Sequence, residues 1–177
     1  SDTNILSGDH IICGLIYRLM NPMTDEEITK SLNDSKELNH VKPHGALYND
    51  CATNENIATI LIECIHECCP NATLLTLPES KLAKKAKSKG IIVCKEAFLD
   101  RGYMDNGQLQ LRGKKGALIT SSHDIFKRLK NLLLHDKIQT INKNWINIYA
   151  DTYCLHGDHP KIVENLKDVL SMYNKII

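Results

Sequence analysis

The sequence predicts an α/β fold made of βα units around a mostly parallel sheet or barrel, and three observations predict it. Strand-like and amphipathic helical segments alternate four or five times along the chain, the pattern that generates parallel pairing. With 177 residues, 42% of them hydrophobic, the chain can bury a core without disulfide or metal staples. The same 177 residues fall short of the roughly 250 that a closed (β/α) barrel takes.

The elements follow in order. Thr24-Asp25-Glu26-Glu27 starts a helix, with Thr24 as N-cap and Glu27 closing a capping box; the polar run Ser31–Asn39 ends it. Asn39–Lys42 is a short strand, stopped by Pro43, which has no N–H for a central ladder. Asn54–Cys69 is the next helix, closed by Pro70-Asn71, and Thr73–Leu77 is a buried strand. Glu79–Lys89 is a helix with Gly90 at its C′ position, where left-handed geometry is needed. Ile91–Lys95 is a strand, Met104–Gly107 a turn, and Ala117–Thr120 another short strand. Ser122–Leu134 is helical, Trp145–Ala150 extended, and Tyr153–His156 a strand. Pro160 marks the first turn of a last helix that runs to about Tyr173.

Composition removes several function classes. Lys+Arg 22 against Asp+Glu 21 leaves a net charge of +1, which favours neither bulk nucleic-acid nor membrane-surface binding. The lysines of Lys81–Lys89 surround an apolar stripe of Leu82, Ala83 and Ala86, and no aromatic residues interleave with them for base stacking. They read as a solvated helix face. No apolar run reaches the roughly 18 residues of a membrane span. The cysteines are seven, an odd number, without a CxxC pair, which points to a reduced, cytoplasmic protein rather than a zinc ribbon or thiol redox site. Ile57, Ile60, Leu61, Cys64 and Cys68 follow helical spacing, so these thiols read as core, with His66 on the wet face between Glu63 and Glu67.

Three segments carry ionisable groups where parallel strands end, the place where α/β folds collect function. In His40–Asn49, Lys42 and His44 are two apart and share a side in extended geometry. Each would lower the other's proton affinity, which suits acid–base work; an exposed loop with unrelated polar residues is the plainer alternative. In Glu96–Tyr103, Arg101 is a candidate for a substrate carboxylate, with Glu96 or Asp100 as base or orienting partner; a surface ion pair is the alternative. Asp151–Asp158 ends in His156-Gly157-Asp158, placing imidazole and carboxylate on one face, as when a carboxylate orients a histidine.

Together, HVKPHGALYN (His40–Asn49), EAFLDRGY (Glu96–Tyr103) with Gly107, Leu109, Arg112 and Gly116-Ala117 after it, and ADTYCLHGD (Ala150–Asp158) resemble the LamB/YcsF family, the A-subunit proteins of 5-oxoprolinase. That resemblance implies a partial or rearranged (β/α) barrel of the glycoside hydrolase/deacetylase type. It further implies ATP-dependent opening of a cyclic amide, 5-oxo-L-proline to L-glutamate, performed with partner subunits B and C. This chain has no GxxxxGK[ST] loop, so ATP would enter through those partners or at a site that no motif marks.

The family's Asp-containing first strand and its NIACGFHAGD-type and GAHPxxPD-type motifs are not found in this sequence. Residues 1–177 are therefore expected to form a single LamB/YcsF-like domain without the family's amino-terminal βα units, and a second copy is a candidate to cover exposed strand edges. The resemblance carries the site onto His44, Glu96, Asp100, His156 and Asp158 as catalytic candidates, and onto Lys42, Tyr48, Arg101 and Asp151 as substrate-binding candidates. No metal ligands are assigned, and the metal requirement stays open. On chemistry, His44 or His156 moves protons, Asp158 orients a histidine, and Lys42 or Arg101 holds a carboxylate or oxyanion. Two alternatives accompany this expectation: a non-catalytic family member that binds or interacts, and a metal-dependent amide hydrolase of deacetylase type.

Overall fold

The computed structural model describes residues 39–156 together with 167–169, 171 and 172. The helix expected from Thr24, the start expected at Pro160 and the candidate Asp158 lie outside the described residues. The chain divides into two compact units, Ser1–Cys94 and Lys95–Ile177. Strands with parallel neighbours alternate with helices in an α/β arrangement, as the alternating pattern predicts.

In the first unit, β1 (His40–Val41) pairs in parallel with β2 (Thr73–Thr76), His40 opposite Thr73 and Val41 opposite Leu74. Between them lie α1 (Gly45–Thr53) and α2 (Glu55–Cys68). The sequence pattern reads the first of these as a loop, because Pro43 and Gly45 punctuate it. It is helical because Tyr48, Cys51 and Ala52 recur at helical spacing and are all buried. Gly45 sits at φ 58°, a left-handed value that lets the chain turn into this helix. Asn54 closes α1 and caps α2, its Oδ1 accepting from the N–H groups of Asn56 at 2.9 Å and Ile57 at 3.3 Å.

The buried stripe of α2 is Ala58, Leu61, Ile62 and Ile65, continued by Cys69. The expected stripe is offset from this one: Ile60 is exposed, and Cys64 and Cys68 are only half-buried. His66, Glu63 and Glu67 are on the wet face. Burial pushes the Cys51 thiol up to about 12, with Asp50 adding to the shift, and Cys69 up to about 11, with Cys68 and Cys64 adding. Both are protonated core thiols at neutral pH. In α3 (Lys81–Ser88), Leu82, Ala83 and Ala86 face inward, and Ser80 caps the start by accepting from the Ala83 N–H at 3.0 Å. Val41, Leu74, Ile62, Ile65, Leu82 and Ile91 belong to the resulting core; burying each large aliphatic chain contributes about 1.5–3 kcal/mol.

Strand β3 (Val93–Phe98) begins in the first unit and ends in the second. It runs three residues past the expected end at Lys95, which places Glu96 inside the strand. Its second half pairs in parallel with β6 (Thr152–Cys154), with Glu96, Ala97 and Phe98 opposite Thr152, Tyr153 and Cys154. Ala117–Thr120 forms no strand; one antiparallel bridge joins Arg101 and Leu118. Helix α4 (Ser122–His135) starts at the Ser121 cap and ends at Asp136 in left-handed geometry, φ 50°. It leads into an antiparallel hairpin of β4 (Lys137–Gln139) and β5 (Trp145–Asn147) that the alternation did not suggest. Residues 167–169, 171 and 172 are helical, with Val169 buried and Asp168 accepting from the Ser122 hydroxyl at 3.0 Å.

The loop after β3 folds back on itself through two glycines. Gly102 donates to Ala117 O at 2.9 Å and accepts from Gln110 N–H at 2.8 Å. A Cβ at Gly102 would stand 1.9 Å from the Gly116 carbonyl oxygen, so only glycine permits this approach. Gly102→Ala is expected to destabilise the protein by about 1–3 kcal/mol, as overpacking against backbone does. Urea unfolding checks it, and an unchanged midpoint would contradict the close approach.

Candidate functional site

The parallel register of β3 and β6 sets the site. Phe98 and Cys154 are opposite each other at the ends of their strands, and two residues further along each chain stand Asp100 and His156. The Asp100 side chain is fully buried, while the His156 side chain is 23% exposed. His156 Nδ1 lies 2.9 Å from Asp100 Oδ1 and 3.1 Å from Oδ2, and the His156 backbone N–H donates to Oδ2 at 3.1 Å. The imidazole stacks on the Phe98 ring, with centroids 5.0 Å apart and planes 12° from parallel.

An ionised carboxylate only accepts hydrogen bonds, so this contact puts the proton on Nδ1. Nε2 then carries the lone pair of the neutral ring. Burial alone would raise the Asp100 pKa, but the hydrogen bond and charge of His156 outweigh it and hold the carboxyl below the usual carboxylate range. The arrangement is an oriented histidine: a base whose ring is held by Asp100 at Nδ1 and by Phe98 against its face.

Two residues that sequence reasoning passed over support it. Tyr103 is wholly buried and its Oη accepts the Phe98 N–H at 2.8 Å. Burial pushes the phenol above its ordinary value, keeping it neutral. Arg128 of α4 lies over the Tyr103 ring, 5.6 Å from the centroid. Its Nη1 donates to the carbonyls of Arg101 and Phe98 and its Nη2 to that of Gln139. Burial lowers its pKa to about 10, with Tyr103, Asp100 and Asp124 opposing the shift, so it is a cation at neutral pH. The available signal was its place on the inner stripe of α4, between the buried Ile125 and Leu132 at i−3 and i+4.

The remaining candidates are placed as follows. Arg101 is 3% exposed, and its Nε donates to Ala117 O at 3.3 Å and its Nη2 to Gln110 O at 2.8 Å. Two of its donors thus hold the loop that follows β3. Glu96 is buried within β3 rather than leaving its end. Asp151 accepts the Lys95 N–H at 2.8 Å and pairs with Lys95 Nζ at 3.6 Å beside the start of β6. Lys42, His44 and Tyr48 belong to the first unit: Lys42 is half-buried, His44 is the exposed N-cap of α1 and Tyr48 is buried. Asp158, given the orienting role on sequence grounds, lies outside the described residues; Asp100 is the carboxylate that grips His156. Among the described residues, no group of three or more His, Cys, Asp and Glu side chains is arranged to hold a metal ion. Nor is any helix among them long and apolar enough to cross a membrane.

A sequence model of the LamB/YcsF family matches residues 27–175. The 5-oxoprolinase A subunit of Pyrococcus abyssi is 41% identical over 128 residues, 72% of this chain and 50% of its own length. The protein of that name from Coprothermobacter proteolyticus is 39% identical over 142 residues, 80% of this chain and 54% of its own. The chain therefore spans about half the length of these curated relatives. In structure it is similar to the lactam utilization protein of Thermus thermophilus, with a TM-score of 0.69 and 26% identity, covering 96% of this chain and 67% of that one.

The depressed Asp100 pKa gives stability a definite pH dependence. The folded carboxyl ionises at lower pH than the unfolded one, whose value is about 3.9. Its contribution is therefore complete above that value and is lost as pH falls through the folded pKa. Asp100→Asn is expected to cost about 1–3 kcal/mol at pH 7 and to flatten the acid limb of the stability profile. Urea midpoints between pH 2 and 7 check this; parallel profiles for the two proteins would contradict it.

Proposed function

The chain belongs to the LamB/YcsF family, and from that premise we propose that it acts as the A subunit of a 5-oxoprolinase, opening the cyclic amide of 5-oxo-L-proline to L-glutamate. The observation that carries the reading is the Asp100–His156 pair at the ends of two parallel strands. Amide hydrolysis needs a group that takes a proton from water as its oxygen attacks the carbonyl carbon, and returns one to the ring nitrogen as the C–N bond breaks. His156 Nε2 performs both transfers. Asp100 keeps the ring in the tautomer that leaves Nε2 basic and stabilises the imidazolium between them, and Phe98 holds the ring plane.

The relatives named as the A subunit of 5-oxoprolinase are, by that name, parts of a larger assembly. The same is proposed here: subunits B and C complete the ATP-dependent reaction, and this sequence carries no Gly-rich phosphate loop. Arg101, with two donors committed to loop carbonyls, serves by shaping the loop that carries Asp100.

The test is glutamate release from 5-oxoproline with ATP, using the full chain with and without B and C subunits. Activity is expected only with partners, and His156→Ala is expected to lower it by about 10²–10⁴-fold while the circular dichroism spectrum is unchanged. Undiminished turnover in that variant, or no glutamate in any combination, would refute the proposal.

A further inference from the structure

The second unit holds a concavity of about 660 Å³ between the loop after β3, one face of α4 and the β4–β5 hairpin. That volume falls in the range of small-molecule sites. Neither Asp100 nor His156 lines it, although Gly102 and Arg128, which hold the loop carrying Asp100, do.

Its charge is one-sided. Lys115, Lys127, Arg128, Lys137 and Lys143 line it, and Asp124 is the one carboxylate among the described lining residues. The cations are not a solvated face of a single helix, as in α3. They come from a loop, a helix, a strand and a hairpin turn, which converge on one hollow. Converging like charges repel each other and weaken the fold slightly unless an anion sits among them.

The turn residue sharpens the point. Thr140 N–H bonds Asn144 O at 2.9 Å and Lys143 N–H bonds Thr140 O at 3.0 Å, closing a three-residue hairpin loop. Lys143 occupies its left-handed position at φ 68°, where glycine or asparagine fits at lower cost. A lysine there stands against a backbone preference, and it lines a basic cleft. The nearby Asp105 carboxylate is engaged by the Thr140 hydroxyl at 2.5 Å and by the Asn142 and Asn144 amides at 3.0 Å each, and it secures this turn rather than lining the hollow.

We propose that this cleft binds an oligophosphate group, a di- or triphosphate, through Lys115, Lys127, Lys137 and Lys143. Five cations against one carboxylate match an anion of three or four charges better than a monocarboxylate. Arg128 commits donors to three carbonyls, so it adds charge at the floor rather than direct contact. Trp145, half-exposed and the only tryptophan of the chain, also lines the cleft and reports on it directly.

The experiment titrates the full chain with tripolyphosphate, with ADP and with inorganic monophosphate at constant ionic strength, read by Trp145 fluorescence and by calorimetry. Saturable binding of tripolyphosphate is expected, weaker for monophosphate, and weakened about tenfold or more in Lys127→Gln/Lys143→Asn. Lys143→Asn alone should keep or raise the melting temperature, because asparagine suits the turn. Binding of ADP as well supports a nucleotide-borne group, and tripolyphosphate without ADP supports a free oligophosphate. No signal by either method, equal binding of monophosphate, a response to ADP alone, or unweakened binding in the double variant would overturn the proposal.

Discussion

A carboxylate with no exposure to solvent must be met by donors, and in this protein His156 meets Asp100 with both its ring and its backbone. The second unit is organised around that requirement. The β3–β6 register brings the two residues level; Phe98, the last residue of β3, supplies the ring on which the imidazole rests. Without the histidine the carboxylate would stay buried and uncompensated, or take up a proton. Without the carboxylate the imidazole would lose its orientation and its fixed tautomer.

Around this pair, polar side chains are committed to backbone. Tyr103 receives the Phe98 N–H, Arg128 binds the carbonyls of Phe98, Arg101 and Gln139, and Arg101 binds those of Ala117 and Gln110. A loop that leaves a strand and doubles back exposes carbonyls that no ladder satisfies, and buried guanidinium groups, with several donors each, can satisfy more than one at a time. The Gly102–Gly116 approach makes the doubling-back possible at all. The loop is in this way fixed to β3, and Asp100 is fixed with it.

Much of this was legible in the sequence. The Leu82–Ala83–Ala86 stripe, the helix that starts at Ser122 and the Met104–Gly107 turn all follow from local chemistry, and local chemistry is what a sequence states most directly; the helix expected from Glu79 starts at Lys81 instead, because Ser80 caps it. Helix α1 was hidden because Gly45 reads as a loop residue, while its positive φ in fact starts the helix. The β4–β5 hairpin was hidden because its turn carries Lys143 where glycine or asparagine would have announced it. At the site, Asp100 reaches His156 across 56 positions of chain. Strand register decides that contact, and no single segment encodes register.

The central claim is that Asp100 holds His156 with its proton on Nδ1 and leaves Nε2 free to act as base. Nitrogen-15 NMR of the histidine rings measures this directly. At a pH where His156 is neutral, the account predicts a protonated Nδ1 and a lone-pair shift at Nε2, with the preference collapsing in Asp100→Asn. A proton on Nε2 in the unaltered protein, or a tautomer ratio indifferent to that substitution, would contradict it.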